Sequence, residues 1–164
     1  ETAEKLISLS PDTVRIYPTI TMKDTLLEKY YNDKKYVPYS KETTINTCAK
    51  ILKMFYDKKI NVIRVGLHYS DELVSTSVAG FYHPAFRELC ESKMFLDMLV
   101  NEIKKYPQGE FSVIVGNKFI SKAIGQKKAN IKVLKELGYI VTFKQSDTLK
   151  DFQFIIKERG DLCY

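Results

Sequence analysis

Cysteine is scarce in this chain. There are three in 164 residues, Cys48, Cys90 and Cys163, far apart and odd in number. That spacing excludes an iron–sulfur or zinc site built from closely spaced cysteines inside the chain. It fits a reducing, cytosolic compartment better than a disulfide scaffold. Histidine occurs twice, at His68 and His83, without clustered carboxylates nearby, which argues against a metal site. Seven glycines and five prolines are too few for a collagen-like or low-complexity chain. No run approaches the roughly 18 apolar residues of a membrane-spanning helix. The N-terminus, Glu1 to Lys5, is charged and lacks the apolar stretch of a secretory signal. The chain begins with Glu rather than Met and reads as a piece of something longer.

What is present is ordinary globular material, 45% hydrophobic and 28% charged, enough for one core or two small lobes. The formal net charge is +6, and it is segregated. Residues 117–150 hold eight lysines (118, 122, 127, 128, 132, 135, 144, 150) against Glu136 and Asp147, a local charge of +6. The residues before that segment sum to +1 and those after it to −1. A basic region on a nearly neutral body is the footprint of a polyanion-binding surface. A solvated lysine face that aids solubility is the plainer reading.

Periodicity predicts the elements. Asp12 to Pro18 is β-branched and reads as a strand; Thr25 to Tyr31 reads as a short helix. Ser40 stands as an N-cap before Ile45, Cys48, Ala49, Ile51, Leu52 and Phe55 at helical spacing, predicting a helix to about Lys58. Ile60 to Leu67 is an apolar run of strand length. Residues 69–85 read as a loop, and Ala85 to about Lys105 as an amphipathic helix stopped by Pro107 and Gly109. Glu110 to Val115 is a strand, Lys118 to Ile124 and Lys128 to Leu137 are helices, and Gly138 is the C-cap of the second. Tyr139 to Phe143 and Phe152 to Ile156 are strands. In the first lobe, apolar strands separated by an amphipathic helix predict an α/β fold with a parallel sheet covered on both faces; the second lobe reads α-β-α-α-β-β, a small α+β unit. The lobe boundary falls within 70–85, dividing the chain at 79/80.

The sharpest local feature is Ile124-Gly125-Gln126-Lys127-Lys128-Ala129-Asn130-Ile131, between two short helices with strands on either side. It resembles the core of a KH domain, Ile-Gly-x-x-Gly-x-x-Ile within β-α-α-β, over about residues 110–156. A turn at Gly125 lets backbone N–H groups approach phosphates, and the next helix offers its N-terminus to anions. Lys128, Lys132 and Lys135 share one helix face. The resemblance makes Lys122, Gly125, Gln126, Lys127, Lys128, Asn130, Lys132 and Lys135 the candidate RNA-binding residues. The second KH glycine is replaced by Lys128, which puts close phosphate contact there in question. A plain helical hairpin with glycine at its corner is the alternative.

Three phrases extend the comparison: Val14 to Thr19 followed by Leu26 to Tyr30, Val62 to Leu67, and Gly80 to Leu89 (Gly-Phe-Tyr-His-Pro-Ala-Phe-Arg-Glu-Leu) followed by Glu91-Ser92. Together they resemble the C-terminal part of radical SAM proteins akin to the elongator catalytic subunit, whose bacterial relatives are often labelled oxygen-independent coproporphyrinogen III oxidase. The resemblance implies the last two βα units of a partial barrel over residues 1–79 and a radical SAM C-terminal, KH-like lobe over 80–164. It implies, for the intact parent, a 4Fe-4S cluster and S-adenosylmethionine, reductively cleaved to a 5′-deoxyadenosyl radical that abstracts hydrogen. The Cys-x-x-x-Cys-x-x-Cys loop that holds such a cluster is not in this sequence, so the fragment alone is expected to be inert and to bind no cofactor. The implied partners are RNA, transfer RNA foremost, and the missing N-terminal part of the barrel. A porphyrinogen-like small-molecule substrate and a non-enzymatic RNA-binding module are the alternatives.

At the barrel mouth, Tyr17 and Thr19 end one strand, and alternation puts Val62, Arg64, Gly66 and His68 on one side of the next. Tyr17, Thr19, Arg64 and His68 are therefore candidates for contact with cofactor or substrate. The alternative pairs Arg64 with Asp71 or Glu72 and makes His68 a loop cap. His83 reads as a helix cap or as packing on Tyr82. Tyr30, Tyr31, Tyr36 and Tyr39, interleaved with Lys29, Lys34 and Lys35, read as an aromatic rim over a core in preference to a base-stacking surface.

Overall fold

The computed structural model describes residues 1–158, so Cys163 lies outside the described residues. The chain forms two compact units, residues 1–90 and Glu91 onward. Their division falls inside a helix, whereas the sequence reading puts it at 79/80. The fold is mixed α/β.

The N-terminal unit runs α1 (Thr2–Ser8), β1 (Thr13–Ile16), β2 (Thr21–Met22), α2 (Leu26–Asn32), α3 (Lys41–Asp57), β3 (Asn61–Val65), α4 (Asp71–Thr76) and β4 (Ser77–Ala79), and includes the first turn of α5 (Phe86–Ile103). Ser40 caps α3 as its sequence predicts, its hydroxyl accepting from Thr43 N–H at 3.1 Å. The buried face of α3 is Cys48, Ala49, Leu52 and Phe55, the helical stripe read from the sequence. These side chains share a core with Ile16, Val62 and Val65. Burying a side chain such as Phe55 contributes about 1.5–3 kcal/mol.

β1 and β3 pair in parallel. Val14 stands opposite Val62 and Arg15 opposite Arg64, so Ile63 is an extra residue in the ladder. That irregularity breaks the expected alternation. Val62 and Val65 are buried, Ile63 is exposed and Arg64 is half-buried. Val62 and Arg64 therefore do not share one environment as strict alternation predicts. Residues 69–85 are not simply a loop either. Ser70 caps α4, and β4 pairs antiparallel with β2. The polar sequence of α4 lacks the apolar period by which a helix is recognised.

The C-terminal unit takes the rest of α5, then β5 (Gly109–Gly116), a 3-10 turn (Asn117–Phe119), α6 (Ile120–Ile124), a second 3-10 turn (Gln126–Lys128), α7 (Ala129–Glu136), β6 (Tyr139–Ser146) and β7 (Phe154–Glu158). Strand order is β6-β5-β7. β5 is parallel to β6 and antiparallel to β7, so this sheet is mixed. As the central strand, β5 buries Phe111, Ser112, Val113, Val115 and Gly116. From α5, Phe95, Leu99 and Ile103 are fully buried, and Phe95 meets Phe154 at 5.5 Å between ring centroids. Gly138 follows α7 with φ +89° and returns its N–H to Lys135 O at 3.0 Å, ending the helix where its sequence predicts.

Candidate functional site

The turn between α6 and α7 has an unusual backbone. Gly125 adopts φ 76°, ψ 159°, a region essentially reserved for glycine. Lys127 (φ 52°, ψ 32°) and Lys128 (φ 60°, ψ 31°) both lie in the left-handed region. Lys128 thus takes a conformation natural to glycine, at a cost of about 1–2 kcal/mol. Lys128 N–H closes the turn on Gly125 O at 3.0 Å. The N–H groups of Gln126 and Lys127 have no acceptor among the described residues.

Asn130 holds this turn from inside. It is 4% exposed, and its Nδ2 donates among Ser92 O (3.2 Å), Ser92 Oγ (3.1 Å), Lys122 O (3.1 Å) and Ala123 O (3.0 Å). The last two are carbonyls at the end of α6, orphaned by the helix geometry. A Cβ at Gly125 would stand 3.0 Å from Asn130 and from Ser92 Oγ, so glycine is required for space as well as for its dihedrals.

The eight candidate residues separate accordingly. Gln126, Lys127, Lys128, Lys132 and Lys135 are exposed, and no acid pairs with these four lysines among the described residues. Gly125 and Asn130 are buried. Lys122 is half-buried, its Nζ 2.7 Å from Glu91 Oε2 and 4.5 Å from the Phe119 ring centroid. Lys122 and Asn130 are therefore placed inward, against the expectation of surface contacts. Lys118 and Lys150 line a separate cavity of about 400 Å³ together with Asp147 and Asp151, whose charges offset theirs.

The N-terminal unit contains a second candidate, a cavity of about 510 Å³. Tyr17 and Thr19 reach it from the end of β1, Tyr36 and Tyr39 from the segment after α2, and Thr47 and Cys48 from α3. Arg64 and His68 are not among its lining residues, so the structure brings together two of the four barrel-mouth candidates. Sequence reasoning set Tyr36 and Tyr39 aside as an aromatic rim; their interleaved lysines were the available signal, while the role of Thr47 and Cys48 left none. Arg64 has no ion-pair partner among the described residues, and Asp71 instead accepts from Tyr69 OH at 2.7 Å. That bond raises the Tyr69 pKa, since ionisation would lose it. His83 is a cap: its Nδ1 accepts from Ala85 N–H at 3.1 Å, and its ring stacks on Phe81, not Tyr82.

Cys48 and Cys90 are both buried. Interaction with the Cys90 thiol holds the Cys48 pKa below that of an ordinary thiol, against the opposing effect of burial. No group of three or more His, Cys, Asp or Glu residues among those described is arranged to hold a metal ion. No described helix is long and apolar enough to cross a membrane.

Neither a curated protein nor a solved structure matches the chain. A protein family does: the sequence matches the Radical_SAM C-terminal domain over residues 11–95. The matched stretch holds β1 to β4, the tyrosine-lined cavity and the start of α5, and it stops before the lysine-rich turn. Radical SAM enzymes work with a 4Fe-4S cluster and S-adenosylmethionine. A cluster needs three thiolates, and the described residues hold two cysteines, both buried, so they do not fit it. With the match extending over more than half of its length, this chain belongs to the Radical_SAM C-terminal domain family.

Proposed function

We propose that the chain is the C-terminal part of a radical SAM enzyme of the elongator-like kind, that its substrate is RNA, transfer RNA foremost, and that its KH-like C-terminal unit holds the phosphates. One observation carries the reading. Among the described residues, the Gln126–Lys128 turn leaves two backbone N–H groups without acceptors beside Lys127, Lys128, Lys132 and Lys135, four exposed lysines without acid partners there. Successive N–H groups in a left-handed turn form an anion-binding concavity, and lysines around it add Coulomb attraction. In this reading Asn130 and Lys122 are positioning residues: Asn130 fixes the turn and Lys122 anchors α6 to Glu91. The β-α-α-β order of β5, α6, α7 and β6 supports the KH-like assignment.

The N-terminal unit is then the end of a partial barrel. A parallel pair such as β1 and β3 is small for a sheet, and parallel sheets are ordinarily larger and covered on both faces. This favours further barrel strands as partners, supplied by the N-terminal part of the parent protein. Tyr17 and Thr19, at the C-terminal end of β1, stand where such barrels keep their reactive groups. No chemical step is assigned to the described residues.

The test is transfer RNA binding by the 164-residue chain across a salt series, beside a Lys127→Glu/Lys128→Glu variant checked for folding. With four phosphate contacts, affinity falls about 50- to 150-fold between about 50 and 200 mM salt. In the variant the binding is lost. Absence of binding at low salt, or a wild-type affinity in the folded variant, overturns the reading.

A further inference from the structure

We propose that the cavity at the carboxyl ends of β5 and β6 binds a ribonucleotide that carries both a phosphate and a free 2′,3′-diol, whether a free nucleoside 5′-monophosphate or the 3′-terminal residue of an RNA. The inference does not rest on the lysine-rich turn, because the cavity is lined from residues 117–119 and 146–151 and not from 125–128. Its volume is about 400 Å³, within the range of clefts that hold small ligands. β5 and β6 run parallel and end side by side, Gly116 opposite Ser146. In open α/β sheets the crevice beyond the carboxyl ends of the strands is where ligands are ordinarily held.

The walls are fixed from several directions. A Cβ at Gly116 would collide with Leu149 O, so the β6–β7 connection is seated directly on the end of β5. Asn117, the residue after β5, donates from Nδ2 to Asp147 Oδ1 and ties the two sides together. Ser146 Oγ accepts from Thr148 N–H at 3.2 Å. Lys150 N–H donates to Gln153 Oε1 at 3.2 Å, and Gln153 N–H donates to Lys150 O at 3.1 Å. These bonds close a turn around Asp151, which is held in the left-handed region at φ 51°. Non-glycine residues keep such a conformation where their surroundings determine it.

The charges select the ligand. Lys118 and Lys150 share the cavity with Asp147 and Asp151, yet no ion pair joins them among the described residues. A simple anion gains little there, because the carboxylates oppose what the ammonium groups attract. A simple cation meets the reverse. A ligand of both characters satisfies both, with a phosphate for the lysines and paired hydroxyl donors for a carboxylate. A ribonucleotide with a free diol has the two on one sugar, and its base is left to the wall at Phe119 and Leu149. A zwitterionic amino acid also has both signs, but a small one leaves much of the cavity unfilled.

The experiment titrates adenosine 5′-monophosphate into the isotope-labelled 164-residue chain and follows the amide resonances. Shifts are expected at residues 117–119 and 146–151. The 2′,3′-dideoxy analogue, and adenosine without its phosphate, are each expected to bind about three- to tenfold more weakly. Lys150→Gln is expected to weaken the monophosphate about two- to fivefold and to leave adenosine unchanged. Asp151→Asn is expected to weaken the monophosphate and not its dideoxy analogue, since the lost acceptor served the diol. Each variant is confirmed folded by circular dichroism. A second arm separates the two sources, using a short RNA and the same RNA ending in a 2′,3′-dideoxynucleotide. Cavity shifts with the first and not the second assign the site to RNA ends. Monophosphate binding without cavity shifts from either RNA assigns it to the free nucleotide. Equal affinity for the monophosphate and its dideoxy analogue overturns the proposal. So do shifts confined to the Gln126–Lys128 turn, or serine binding as tightly as the monophosphate. Transfer RNA binding with no monophosphate binding removes this site and leaves the function proposed for the turn standing; monophosphate binding without transfer RNA binding does the reverse.

Discussion

Replacing Asn130 by alanine removes one carboxamide and strands several acceptors. Its two amide protons are shared among four oxygens at 3.0–3.2 Å, those of Ser92 (two), Lys122 and Ala123. At least two hydrogen bonds are therefore lost at a site 4% exposed, where water does not readily replace them. A stranded buried acceptor costs about 1–3 kcal/mol, so the expected destabilisation of the C-terminal unit is about 2–4 kcal/mol. For a unit of this size each kcal/mol moves the melting midpoint by about 4–8 °C, giving a fall of at least about 8 °C. Hydrogen exchange of the β5 amides reports on this unit alone; urea and thermal melts of the whole chain supply the total. Asn130→Asp is the companion variant. Its carboxylate has no proton to donate to the same oxygens, so it destabilises the unit at least as much at neutral pH. A change within about 0.5 kcal/mol for Asn130→Ala, or an aspartate variant as stable as wild type, would refute the clamp.

Further outcomes follow from the turn and the thiols. Lys128→Gly removes the left-handed strain and is expected to stabilise the C-terminal unit by up to about 1 kcal/mol in urea melts, while weakening transfer RNA binding and flattening its salt slope by about one. Stability and affinity moving in the same direction would contradict this. The alkylation rate of Cys48 is expected to rise with pH and to level off with a midpoint below the ordinary thiol value of 9.0, because the Cys90 thiol favours the thiolate. The depressed folded-state value also means that this group's contribution to stability is present above the unfolded thiol pKa. It is lost as pH falls through the folded pKa. In Cys90→Ala the alkylation midpoint moves up; an unchanged profile would remove Cys90 as the cause.

The elements that were legible in the sequence are those whose signals are local. Ser40 and the apolar stripe through Phe55 define α3; the run Phe111 to Val115 defines β5; Gly138 ends α7. α4 was hidden because Asp71 to Thr76 carries no apolar period, and the irregularity at Ile63 defeated simple alternation on β3. The candidate site divides in the same way. The exposed lysines of the turn follow from charge and glycine placement. Asn130 and Lys122 did not, because a polar side chain reads as surface until the partner that buries it is known. Those partners, Ser92 and Glu91, lie in α5, far back in the chain. The tyrosine-lined cavity draws on three separate segments, which no spacing rule expresses.

α5 carries a consequence for modularity. The division between the compact units falls at 90/91, inside this helix and not in a loop, and the family match also ends within it, at residue 95. A recombination junction at that point inherits a phase constraint. Each inserted or deleted residue turns everything after it by about 100° on the helix axis. One added residue between Cys90 and Glu91 would rotate Met94, Phe95, Leu99 and Ile103 away from their stripe relative to Phe86 and Cys90.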